Sequence, residues 1–113
     1  MTKSEIERGF QTDFDNPGSL KSGEYLYEHI LRRASRFVAE DRENLVLVLR
    51  DWVRERCEPH TMLAVSIADE LRLAELRNDL VELKSDIERG KAFYPFYQDR
   101  VTKAIRQIDS PRK

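Results

Sequence analysis

The chain has 113 residues, 40% hydrophobic and 36% charged, enough for one modest core beneath an unusually ionic surface. Lys and Arg number 20 against 21 Asp and Glu, a net charge of -1, and a balance that close speaks against a general polyanion binder. The sole cysteine, Cys57, excludes an intrachain disulfide and any Cys-rich zinc centre, and reads as a structural or incidental thiol.

Residues 1–18 scatter Ile6, Phe10 and Phe14 among polar groups and end in Asn16, Pro17 and Gly18, so they read as an N-terminal arm. Phe10 and Phe14 would pin that arm to the body or insert into a partner. Residues 19–109 read as a single helical domain and 110–113 as a polar tail.

Ser22 is a suitable N-cap with Glu24 in the first turn, opening a helix striped by Leu26, Ile30, Ala34, Phe37 and Val38 that ends near Ala39. Tyr25 and Tyr27 fall on opposite sides of it. Asp41 then caps a second helix, in which Leu45 to Leu49 are all apolar, a run that requires burial on more than one side. Trp52 and Val53 extend its core face.

Glu58-Pro59 closes this helix and starts a third, about Pro59 to Leu71. The stripe Ala64, Ile67, Ala68, Leu71 loses phase before Leu76, which predicts a break near Leu73 to Glu75. A fourth helix carries Leu76, Leu80, Leu83 and Ile87 to about Arg89, and Gly90 suits the left-handed position beyond its end. Pro95 opens a fifth, with Val101, Ala104, Ile105 and Ile108 on one face.

The fold class is therefore all-α, with about five antiparallel helices joined by short links. Leu45, Leu49 and Trp52 fall on Leu76, Leu80 and Leu83 at an offset of 31, and Ala64 to Leu71 fall on Val101 to Ile108 at an offset of 37. Offsets in the thirties are the signature of two-helix repeats.

The stretch Val65-Ser66-Ile67-Ala68-Asp69-Glu70-Leu71, then Leu76, Leu80 and Leu83, then Asp99-Arg100-Val101 with Ala104-Ile105, resembles HEAT repeats, over residues 59–108. The resemblance implies an α-solenoid scaffold that binds proteins, or less often nucleic acid, and brings no catalytic residues. No Gly-Asp or Pro follows the first of these helices and the link from Gly90 to Pro95 is aromatic-rich, which leaves an irregular helical bundle open.

Glu75, Asp79, Glu82 and Asp86 recur at three- and four-residue steps and form a carboxylate stripe opposite the leucines. It reads as a solvated face, as an acidic contact surface or, with an added His or facing carboxylates at fixed geometry, as a metal site. Arg50 and Arg54, with Arg56 close behind, would flank that stripe if the second and fourth helices lie side by side, giving a bipolar face suited to another protein. Phe93, Tyr94, Phe96 and Tyr97 form either a plug for the core or an anchor patch, with Tyr94 and Tyr97 the candidate contacts. Arg32, Arg33 and Arg36 make the densest basic cluster, the alternative site for phosphates of a nucleic acid.

His29 and His60 lie on different helices, and no HExxH, CxxC, GxSxG or Gly-rich phosphate loop is present. The expectation is a non-catalytic module without metal or cofactor that binds another protein as adaptor, inhibitor or immunity-type binder. A second copy of the chain is the other occupant weighed, since so few repeats leave apolar ends uncapped. No segment reaches the roughly 20 apolar residues that span a bilayer, and Met1 to Phe10 lacks the apolar core of a signal peptide, so a cytoplasmic location is expected.

Overall fold

A helix begins where the sequence reading places an arm. In the computed structural model, which describes residues 2–15 and 23–110, helix α1 spans Lys3–Asp15. The side chains of residues 13–15, 23–27, 58 and 59 are not described, so the roles expected of Phe14, Ser22, Tyr25, Leu26 and Tyr27 lie outside the described residues. The expectation of an arm over 1–18 is thus corrected for residues 3–15. The cause is local. Thr2 Oγ1 accepts the Glu5 N–H at 3.2 Å, which satisfies one of the four orphan donors at the helix start. Ile6 and Phe10, four residues apart on one face, are then fully buried.

Helix α2 runs Gly23–Glu55 with non-helical backbone at Asp41 (φ -158, ψ 77), so the two helices expected on either side of that residue are present, joined by a kink. Asp41 is the cap read from the sequence. Its Oδ1 accepts the Asn44 N–H at 3.2 Å and its Oδ2 the Asn44 side-chain amide at 2.7 Å. Helices α3 (Glu58–Leu71), α4 (Arg77–Glu88) and α5 (Tyr97–Asp109) follow, with a 3-10 turn at Ala74–Leu76 before α4. Among the described residues there is no strand, and the fold is all-α.

The chain divides into two compact units, Met1–Val48 and Leu49–Lys113, with the division inside α2 and not at residues 18 and 19. In the first unit Ile30, Ala34 and Phe37 form the buried stripe of α2, and the Phe10 and Phe37 rings meet edge to face at 5.3 Å. Gly9 lets α1 approach this stripe. A Cβ there would lie 2.9 Å from the tip of the Phe37 ring and 3.5 Å from Arg33. Of the apolar run Leu45 to Leu49, only Leu47 is exposed.

In the second unit α3 and α4 both pack on α5. Ala64, Val65, Ile67 and Ala68 are fully buried on α3, Leu80, Leu83 and Ile87 on α4, and Val101 and Ala104 on α5. The break after α3 falls where the stripe loses phase. Arg72 adopts the left-handed conformation (φ 49), and the N–H groups of Arg72 and Leu73 bond back to the carbonyls of Asp69 and Ala68. Leu73 and Leu76, one on each side of the turn, are both fully buried. The α4 terminus repeats the same pairing with Gly90 (φ 70): Gly90 N–H bonds to the Ile87 carbonyl and Lys91 N–H to that of Asp86.

The contact at Gly9 generates a first prediction. Gly9→Ala gains helix propensity of about 1 kcal/mol but drives a methyl group into the Phe37 ring, at about 1–3 kcal/mol. A net destabilisation is expected in urea denaturation, and Phe37→Leu should make the alanine favourable. Equal effects of Gly9→Ala in the wild-type and Phe37→Leu backgrounds would refute the contact as the cause.

Candidate functional site

The second unit is laced by ion pairs between helices, and two of the four stripe carboxylates, Asp79 and Asp86, belong to them. Arg50 Nε donates to Asp79 Oδ2 at 2.9 Å, Arg54 Nε donates to the other oxygen at 3.2 Å, and Arg50 Nη2 reaches the Glu75 carbonyl at 2.9 Å. The Asp79 side chain is only 6% exposed, whereas that of Arg54 is 64% exposed. A buried carboxylate with both oxygens in charge-assisted bonds is an internal structural group, since removing both guanidinium groups would leave a buried charge without compensation. Arg56 Nη2 and Nε hold Asp86, and its Nη1 caps the Val53 carbonyl at the end of α2.

The juxtaposition inferred from the sequence is therefore present: Arg50, Arg54 and Arg56 do meet the acidic stripe of α4. The outcome differs from a bipolar contact face, because Asp79 and Asp86 spend their charge on these arginines. Glu75 and Glu82 remain at the surface. Two further staples complete the set. Arg100 of α5 bonds the buried Asp69 of α3 and donates to Ser66 Oγ at 3.1 Å, and Arg77 grips Asp109 through Nε and Nη2.

Above this framework, the turn between α4 and α5 carries four rings in contact. Phe93, held at φ 49, is half-buried and meets Tyr97 edge-on at 5.8 Å. Tyr97 is also half-buried and lies 4.3 Å from Phe96, and Phe96 stacks on Tyr94 at 5.9 Å with ring planes 8° apart. Tyr94 and Phe96 are each 67% exposed. The inner pair is half-buried and the outer pair faces solvent. Phe96 belongs with Tyr94 and Tyr97; its place before the first residue of α5 gave no sign of its exposure. Nearby in the chain, Gln98 donates to Glu88 at 2.9 Å, and Lys91 and Asp99 are exposed.

In the first unit His29, Arg32, Arg33 and Arg36, at helical spacing on α2, line a shallow depression of about 90 Å³. The basic cluster read from the sequence is thus one surface, with His29 as a fourth member that the three- and four-residue steps would have supplied.

One further constellation was not read from the sequence. Glu55, Cys57 and His60 place one ligand atom each within 4.8 Å of one another at the junction of α2 and α3. Among the described residues this is the group of His, Cys and carboxylates close enough to share a metal ion.

No protein-family model matches the chain, and neither the curated proteins nor the solved structures contain a match to it.

Three surface carboxylates sit below their ordinary range, and this fixes the acid response. Asp86 is lowered chiefly by its hydrogen bond from Arg56, Asp109 by that from Arg77, and Asp41 by the Asn44 backbone N–H and then its side chain. A lowered folded-state pKa means that the unfolded chain binds these protons more tightly. Their contribution is fully present above the unfolded value, about 4, and is lost as pH falls through the lower folded values. The urea midpoint should stay level from about pH 7 to 5 and drop below about pH 4. Replacing all three by Asn should flatten the drop, and an equal drop in that variant would refute the assignment.

Proposed function

We propose that this chain is a non-catalytic protein-interaction module, an adaptor, inhibitor or immunity-type binder acting in the cytoplasm, and that its aromatic turn is the anchor. The carrying observation is the exposure of Tyr94 and Phe96, stacked on each other and held from behind by the half-buried Tyr97 and Phe93. Exposed aromatic rings have the composition of an interface centre, where single side chains contribute about 2–4 kcal/mol. Glu75 on the 3-10 turn and Glu82 on α4 add acidic surface.

A repeat architecture of the HEAT type is part of the same proposal. The ion pairs from α2 and the adjoining Arg56 to α4 join residues 29, 25 and 30 positions apart and that from α3 to α5 residues 31 apart, beside the apolar offsets of 31 and 37 for the same helix pairs. Stacked two-helix units bring equivalent positions of successive repeats together at such a spacing.

The second reading, phosphate binding on the first unit, is favoured by the depression that His29, Arg32, Arg33 and Arg36 share. It calls for binding that weakens steeply and log-linearly with salt.

A photo-crosslinking amino acid at position 94 or 96, introduced in the native cell, tests the anchor. One discrete adduct with another protein is expected, and the same group at the exposed Glu70 should give none. With that partner purified, Phe96→Ala or Tyr94→Ala should weaken binding about 30-fold, the equivalent of about 2 kcal/mol. No adduct at either position, or affinity unchanged by both substitutions, would refute the anchor. An adduct with the chain itself would replace the adaptor by a homo-oligomer.

A further inference from the structure

We infer that Glu55, Cys57 and His60 form a site for a transition-metal dication of the zinc type. The three donors come from the last residue of α2, the residue preceding α3 and the first turn of α3, and their ligand atoms already lie within 4.8 Å of one another. Tetrahedral zinc with bonds of about 2.0–2.3 Å needs neighbouring donors about 3.3–3.8 Å apart. Small side-chain rotations, of Cys57 as well as the exposed Glu55, would close that difference. His60 Nδ1 and Glu55 Oε2 are already 3.4 Å apart.

The backbone that gathers these donors is tied down independently of any ligand. Arg56 takes the left-handed conformation (φ 55) and reverses the chain between Glu55 and Cys57. The fully buried Thr61 donates its hydroxyl to the Trp52 carbonyl and its N–H to the Cys57 carbonyl, both at 2.7 Å. The His60 ring is stacked on Trp52, 4.7 Å between centroids and 12° between planes, which limits its rotation. Cys57 precedes α3 without giving its side chain to a helix cap, and its thiol is half-buried and free of any disulfide.

The electrostatics suit a cation as well. Arg54 and Arg56 adjoin Glu55 in sequence, but their guanidinium groups are turned to Asp79 and Asp86. Thiolate, imidazole and carboxylate together select zinc and its neighbours over magnesium or calcium, which require oxygen donors. Binding forms a metal–sulfur bond and releases the thiol proton to solvent, with no change of oxidation state. Three protein donors leave a fourth position for water.

The test uses the full chain, stripped by chelator and titrated with Co²⁺ as a spectroscopic stand-in for zinc. One equivalent should give the near-ultraviolet thiolate-to-cobalt band, and, because Trp52 is the chain's single tryptophan, quench its emission over the same range. Added Zn²⁺ should abolish the band and raise the Tm. Cys57→Ser should remove the band, and Glu55→Gln or His60→Gln should weaken binding about tenfold or more. Absence of the band at one equivalent, or undiminished Co²⁺ affinity in Cys57→Ser, would overturn the site. Should the variants not fold, the wild-type titration decides alone, since the chain has one thiol to supply that band.

Discussion

A carboxylate can be buried only if something replaces the water it loses, and in the second unit that requirement fixes which helix faces meet. Asp79 is satisfied on both oxygens by guanidinium groups from α2, and Asp69 by Arg100 from α5. Apolar stripes alone tolerate sliding by a turn, because one leucine packs much like the next. A carboxylate that must find its arginine does not. The leucines supply the driving force for collapse and the ion pairs select one register among several.

Much of this was legible in the chain, and the reasons differ from element to element. Asp41, Pro59, Gly90 and Pro95 mark helix ends because each carries its conformational preference in its own side chain or ring. The break after α3 was legible for another reason: Leu71 and Leu73 cannot share a face, so continuity was impossible whatever the local residues favoured. Helix α1 was obscured by Gly9 and by the Asn16-Pro17-Gly18 sequence, although Thr2, Glu5, Ile6 and Phe10 carry a cap and a stripe at the required spacing.

The candidate site was legible as composition but not as exposure. Asp79 and Glu82 look alike on a helical wheel; only the neighbouring helix decides that one is an internal ligand for arginine and the other faces water. Among the four rings the sequence left plug and patch open, and only the turn that carries them decides that Tyr94 and Phe96 face water while Phe93 and Tyr97 are half-buried. The Glu55, Cys57 and His60 constellation lies across a helix junction whose geometry rests on Arg56 at positive φ, a conformation no side-chain pattern announces.

The end of α3 also depends on something other than the residue at the turn. Glycine would take the left-handed conformation freely, but the chain places Arg72 there, at a cost of about 1–2 kcal/mol that Leu73 and Leu76 offset by entering the core. The stop is thus dictated by the surroundings and absent from local preference. The turn between α3 and α4 is therefore held by the side chains on either side of it, and its persistence is tied to the core they enter.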